Sequence, residues 1–295
     1  MNNMNIESRE NAELEGNTFL KEAMNTLKKN KMAIIGLTVI IFFILIAIFA
    51  PYVAPYSPYD INLDLQFSRP SMSNWFGTDM LGRDILSRII FGTRISLLIG
   101  LIPTFISMVI GIVLGLISGY YGGKTDSIIM RIADIVLAFP SLLLAMVFMY
   151  TLGASLLNIF IALSLVRWAG ISRVVRSQTL SLKEMEFIEA SKSVGTKNWA
   201  IMIRHIFPNC IPNLIVLFTL NIPSAILSEA SLSFLGVGAQ PPTPSWGLMI
   251  SRGKEYLLSA PWVSIFPGVM ILLITLAFNF FGDGLRDALD PYMKY

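Results

Sequence analysis

Five long, strongly apolar stretches of this 295-residue chain carry no charged side chain: Met32 to Ala50, Ile95 to Gly123, Ile135 to Val166, Ile206 to Ser228 and Tyr256 to Phe281. An unpaired charge in hydrocarbon is costly, whereas about 20 apolar residues wound as a helix cross a bilayer core of about 30 Å. The stretches therefore predict an all-α membrane protein. Composition agrees, since 54% apolar against 14% charged residues is well outside the balance of a soluble domain. Crossings fill most of the chain and leave no room for a large soluble domain. The net charge of +3 comes from basic residues spread unevenly, which bears on topology and gives no reason to expect nucleic-acid binding. A single cysteine, Cys210, cannot form an internal disulfide, and a single histidine, His205, cannot build a multi-histidine metal site.

The third stretch decides how many crossings there are. Its 32 residues would make one helix of about 48 Å, too long for a single span. A break at Thr151-Leu152-Gly153-Ala154-Ser155 gives two spans, the first starting near Ile128 with Arg131 and Asp134 in its first turns, close enough to pair with each other. Six transmembrane helices result. Residues 1–31 are then a polar cytosolic leader and 32–50 the first span, a retained anchor in view of the long segment before it. Residues 51–94 form an extracytoplasmic loop and 95–295 a five-helix core. Cytosolic loops should hold the excess of Lys and Arg. Six spans with a cytosolic N-terminus place 16 basic residues inside and 6 outside, whereas merging the third and fourth spans gives 9 and 13. Both termini and the charged segment Ser181 to Pro208 are thus expected in the cytosol.

That segment reads as a two-helix hairpin. Ser181 followed by Glu184 has the spacing of a capping box, Gly195 suits the left-handed residue beyond a helix end, and Thr196 can cap the next helix. Trp199, Met202, Ile203 and Ile206 fall on one helical stripe, and Leu182, Met185 and Ile188 on another. Pro208 is expected to end or kink the second helix. Amphipathic helices of this kind either pack on their own bundle or meet another surface.

Glu189-Ala190-Ser191, Gly195 four residues on, and Phe207-Pro208 resemble the EAA loop of ABC importer permeases, with Ser191 for the second Ala, Phe207 for the usual Leu and His205 where Ile is common. Phe76-Gly77-Thr78-Asp79, Leu81-Gly82-Arg83-Asp84, Gly119-Tyr120-Tyr121-Gly122-Gly123, Ala138-Phe139-Pro140, Glu229 to Gly236, Gln240 to Gly247 and Gly282 to Asp287 extend the resemblance. Together they are similar to the C-type permease of the oligopeptide, dipeptide and nickel importers, from about Lys28 onward. The resemblance implies a type I ABC importer permease fold in a bacterial cytoplasmic membrane. It implies a coupling loop at 171–209, with Glu189, Ala190, Ser191, Gly195, Trp199 and Pro208 meeting an ATPase. The implied partners are a B-type permease, two ATP-binding subunits that hold ATP and Mg, and an extracytoplasmic substrate-binding protein. The implied cargo is a di- or oligopeptide, or else nickel or a metal chelate. The chain would supply half a pore and no bond-making chemistry.

Polar residues at membrane depth are the remaining candidates. Asn158, Asn221 and Asn279 could line a polar path or bond between helices, and Glu229 could meet a substrate amino group or serve a helix end. Enzymatic alternatives fare poorly. Gly123-Lys124-Thr125 imitates the end of a phosphate-binding loop, but Ser118 stands where glycine is needed. Asp134 and Asp283 lack the Gly-x-Gly-Asp of an intramembrane aspartyl protease, since residue 280 is Phe, and His205 lies in the hairpin, away from any serine-protease site in the bundle. A passive channel is the other class that the sequence allows.

Overall fold

A computed structural model of the chain describes residue 22 and residues 24–289. Most of the expected leader 1–31, and residues 290–295, lie outside the described residues. Helix α1, Lys31–Val53, starts where the Asn30 side chain accepts the Ala33 amide at 3.1 Å. Only a narrow stripe of it is buried: Ala33, Gly36, Ile40, Phe43 and Ala50. The other faces are apolar and exposed, as suits a helix solvated by lipid. Pro51 has no amide to give the carbonyl of Ala47, four residues earlier. The Arg94 guanidinium fills that vacancy, donating to the carbonyls of Ala47 and Ile48.

Helix α2, Ile85–Tyr121, begins ten residues before the charge-free run, because Asp84 caps it by accepting the Ser87 amide at 2.7 Å. Its first turns stand inside the loop that precedes it, so the polar connector ends at residue 84 instead of 94. Helix α5, Leu156–Lys183, lies along α2. Gly111, Gly115 and Gly119 line the contact at every fourth residue. An added Cβ would come within 2.6 Å of Ile171 Cγ2 at Gly111, 2.6 Å of Val175 Cβ at Gly115, and 2.7 Å of Thr179 Cβ at Gly119. Lipid tails are as apolar as leucine, so helices associate in a bilayer by close backbone approach and van der Waals contact, which small residues permit.

The third span is not straight. Helices α3, Gly123–Ala138, and α4, Ser141–Leu152, meet at 91° across Phe139 and Pro140. Pro140 drives Phe139 into an extended conformation (φ −95°, ψ 141°) and supplies no amide to continue the helix. The break foreseen at 151–155 is present: Gly153 turns the chain, and Ser155 caps α5. Asn158 reaches back to the carbonyls of Leu152 and Gly153, each at 2.8 Å, so it fastens this turn. Helix α8, Phe207–Phe234, and helix α10, Trp262–Leu289, complete the spans; each runs further toward its C-terminus than its charge-free stretch. Among the described residues, five helices are long and apolar enough to cross a membrane, and six if the bent pair counts as one span.

The end of the bundle away from residues 181–208 is closed by the loop before α2 and by the short helix α9, Trp246–Gly253. Asp79 pairs with Arg83 at 2.7 Å and Arg88 at 3.4 Å, and Asn74 donates to Asp84 at 2.9 Å. Asp79, Arg83 and Asp84 thus hold the loop itself. Trp246 is fully buried beneath it, with its indole N–H on the Ile89 carbonyl at 3.2 Å and its ring edge-on to Phe43 at 5.6 Å. At the opposite end Gly284 of α10 faces Ala33 and Leu27, which brings the two ends of the described chain together.

Because the seam has no spare volume, Gly115→Leu is expected to lower the stability of the detergent-solubilised protein by about 2 kcal/mol or more, read as reduced membrane yield and melting temperature. Gly268→Ala in α10, where an added Cβ meets nothing within 4 Å, should be neutral or stabilise by up to about 1 kcal/mol.

Candidate coupling hairpin and polar face

The hairpin is built differently from the sequence expectation at its start. Ser181 lies in the last turn of α5, bonded to the Ser177 carbonyl at 3.3 Å, and Glu184 is that helix's C-cap. No capping box forms. The reason is that α5 continues without a break to Lys183, so residues 171–183 of the expected coupling loop belong to a helix long and apolar enough to cross a membrane. Helix α6, Glu186–Ser193, begins only after Met185. Thr196 likewise caps nothing; Lys197 precedes helix α7, Asn198–Ile201.

The corner between α6 and α7 is as foreseen. Gly195 has φ +82°, its amide bonds the Lys192 carbonyl at 2.9 Å, and the Thr196 amide bonds the Ser191 carbonyl at 3.1 Å. These two bonds are the 5→2 and 6→1 pair of a Schellman motif. Beyond α7, residues Met202–Ile206 form a π-turn that runs directly into α8, with the Phe207 amide on the Met202 carbonyl. The wider turn gives room to the ring of Pro208, which would otherwise press on the carbonyl four residues earlier. Pro208 therefore neither ends the helix nor breaks it. Widening also shifts the helical phase, which corrects the expected stripe: Ile201 and Ile206 are buried, whereas Trp199 and Ile203 are 53% and 56% exposed.

Ile188 and Ile201 pin the hairpin into a cluster with Leu116, Tyr120 and Val175 toward the C-terminal ends of α2 and α5. The Tyr120 hydroxyl donates to Asn198 Oδ1 at 3.0 Å. Alongside, Arg176 of α5 grips Asp126 of α3 with two bonds of 2.5 Å, and Ser118 of α2 donates to the same carboxylate. Gly122, at φ +64°, permits the abrupt turn from α2 to α3 that brings Asp126 there. Asp134 does not pair with Arg131: its partner is Arg173 of α5, across the helix interface. Glu189, Ala190, Gly195 and Pro208 are all exposed, as is Trp199, and Ser191 is half-buried with its hydroxyl on the Phe187 carbonyl at 2.8 Å.

Besides Asn158, the three other polar residues expected at membrane depth occupy different surroundings. Glu229 is enclosed: it is 1% exposed and accepts from Ser233 at 2.6 Å and Ser245 at 3.0 Å, the second serine also capping α9. Asn279 is half-buried on α10. Asn221 shares a face of α8 with Ser224 and Ser228, and Arg167 of α5 lies against all three. No sequence pattern marks Arg167, because the charge-free run ends at Val166 and the count of basic residues places the arginine on the cytosolic side.

Residues 111–295 match the family described as binding-protein-dependent transport system inner membrane component, and residues 18–70 match the N-terminal transmembrane domain of oligopeptide transport permease C. This chain belongs to that permease family. Its relatives include the dipeptide transport system permease protein DppC of Alkalihalophilus pseudofirmus, 50% identical over 93% of this chain and 90% of the relative. The glutathione transport system permease protein GsiD of Escherichia coli O157:H7 is 44% identical over 92% of this chain and 90% of its own. In fold the permease is similar to the inward-facing MetNI methionine ABC transporter, with a TM-score of 0.56 and 20% identity, covering 70% of this chain and 98% of the other. The permease is accordingly a multi-pass membrane subunit of an ABC importer and has no catalytic role of its own.

The Schellman corner generates a local test. A β-branched residue in the left-handed region costs about 1–2 kcal/mol, so Gly195→Val should speed amide exchange at Thr196 by about 5- to 30-fold, while Gly195→Asn should leave it within about threefold.

Proposed function

We propose that this permease forms half of the translocation pore of an ATP-driven importer of di- or oligopeptides. The observation that carries the proposal is its 50% identity, over nearly its whole length, to a dipeptide permease, supported by the glutathione permeases beside it. Nickel or a chelate is not favoured by those relatives. The remaining parts are a B-type permease completing the pore, two ATP-binding subunits that hold ATP and Mg, and an extracytoplasmic binding protein that delivers substrate.

The hairpin is the proposed contact with the ATPase. It offers an exposed apolar surface of Phe187, Val194, Trp199 and Ile203, ringed by Glu186, Glu189, Lys192 and Lys197. Apolar side chains so displayed on a polar hairpin suit a protein surface that covers them. Its orientation is cytosolic. Helix parity supports this, because the hairpin stands at the same end of the bundle as Lys31 and Gly284, where basic residues gather. In operation, closure of the ATP-bound subunits pulls the hairpin. Ile188, Ile201 and the unbroken helix from Asn198 to Phe234 pass that movement to the spans, and hydrolysis returns the pore to its inward-open form.

Two outcomes follow. Gly195→Pro cannot adopt φ +82° and loses the amide bonded to Lys192; the protein should stay in the membrane with peptide uptake reduced by about tenfold or more, and normal uptake would remove the hairpin from the mechanism. Affinity purification of the tagged chain from native membranes should recover a second permease and ATP-binding subunits in fixed ratio. Recovery of the chain alone would point to a passive channel.

A further inference from the structure

Arg167 is a cation at membrane depth with no counter-charge among the described residues. It stands 11 residues into α5, about 17 Å from the outer end of that helix and so near the middle of a core of about 30 Å. The other two arginines on the inner half of α5 are paired, Arg173 with Asp134 and Arg176 with Asp126. Arg167 has only neutral partners: Nη2 donates to Ser228 Oγ at 2.8 Å and Ser224 Oγ at 3.1 Å, and Nη1 makes long contacts of 3.4 and 3.5 Å with the carbonyl and side-chain oxygens of Asn221. Ser228 gives its own proton to the Ser224 carbonyl at 2.8 Å, so its lone pairs are what face the arginine. The hydroxyls orient the guanidinium and leave its charge unneutralised. Intramembrane charges of this kind face a watery cavity and mark a path for polar cargo.

A cavity of about 200 Å³ opens beside it, with Leu142, Ala145, Leu163 and Val166 on its apolar wall and Arg167 and Ser224 on its polar one. Below Arg167, the position a Cβ of Gly170 would occupy is open space. A fixed guanidinium beside a small apolar pocket fits an anion that carries a short side chain. Planar, two-pronged carboxylate binding is what guanidinium geometry favours.

We propose that Arg167, with Ser224 and Asn221, is a transit site for the C-terminal carboxylate of a passing peptide, the adjoining pocket receiving that residue's side chain. The proposal deepens the peptide-importer function above and rests on it.

The test uses the complete transporter, with its partner subunits and binding protein, in liposomes, and measures uptake of labelled dialanine, trialanine and glutathione. Arg167→Cys should lower uptake by about tenfold or more, the scale of a lost charged hydrogen bond, while partner subunits co-purify in the wild-type ratio. Treatment with the cationic thiol reagent trimethylammonium-ethyl methanethiosulfonate should restore uptake by roughly threefold or more, and the anionic sulfonatoethyl reagent should restore none. The wild-type transporter, in which this chain's one cysteine is buried, is the control for both reagents and for any cysteine of the partner subunits. Arg167→Lys, which keeps the charge but loses the planar fork, should fall between wild type and Arg167→Cys in uptake. Uptake in Arg167→Cys within about twofold of wild type, a thiol that neither reagent reaches, or equal effects of the two reagents would overturn the site while leaving the peptide importer standing. Loss of the partner permease from the Arg167→Cys complex would also overturn it and assign Arg167 to the contact between permeases. If the wild-type transporter takes up none of the three peptides, the importer proposal itself falls and carries this one with it.

Discussion

Close backbone approach between α2 and α5 is the constraint on which the rest of the structure depends. Gly111, Gly115 and Gly119 let α5 lie against α2 along its inner half, with Ile171, Val175 and Thr179 filling the space that side chains would take. Within a bilayer such contact replaces the hydrophobic drive that would join helices in water. The seam fixes where Arg176 stands, and Arg176 in turn fixes Asp126 and the start of α3. Its inner end, at Leu116, Tyr120 and Val175, is also the floor into which Ile188 and Ile201 insert. One packing decision therefore sets the position of the bent span and of the hairpin together.

Polar groups inside the bundle follow the same economy, in that most answer a vacancy left by another residue. Arg94 serves the carbonyl that Pro51 abandons, and Asn158 closes the turn that Gly153 opens. Glu229 joins two hydroxyls, one of which caps α9, so a carboxylate on α8 stitches the outer short helix to the bundle. One of its oxygens, Oε2, has no bonding partner among the described residues.

Much of this was legible in the sequence, for physical reasons. Charge-free runs reveal spans because the cost of burying a charge is large and local. The break at 151–155 was forced by length alone, and Gly195 was legible because little else tolerates a left-handed corner. The misses have one cause in common: tertiary partners change what a local pattern means. Asp84 starts α2 inside a segment that looked like loop, because the outer loop itself supplies cover for ten helical residues. Ser181 looks like a cap only if a helix begins there, and α5 is still running. Trp199 and Ile206 share a stripe in an ideal helix and separate in a π-turn that Pro208 induces. Arg131 and Asp134 have the spacing to pair, but Arg173 comes close enough to take Asp134. Pro140 could have announced the 91° bend, since the residue before proline resists the helical conformation. Arg167 is the instructive case, because a rule that ends a span at the first charge removes from the membrane the charge most worth finding there.

The Schellman corner at Gly195 has a consequence for recognition. Its two closing bonds are made by the chain's own amides, and the isoleucines that anchor it are already buried. The hairpin backbone consequently holds a finished shape and has little backbone ordering left to lose. Its exposed Phe187, Val194, Trp199 and Ile203 side chains stand on a fixed frame instead of on a segment that must fold first.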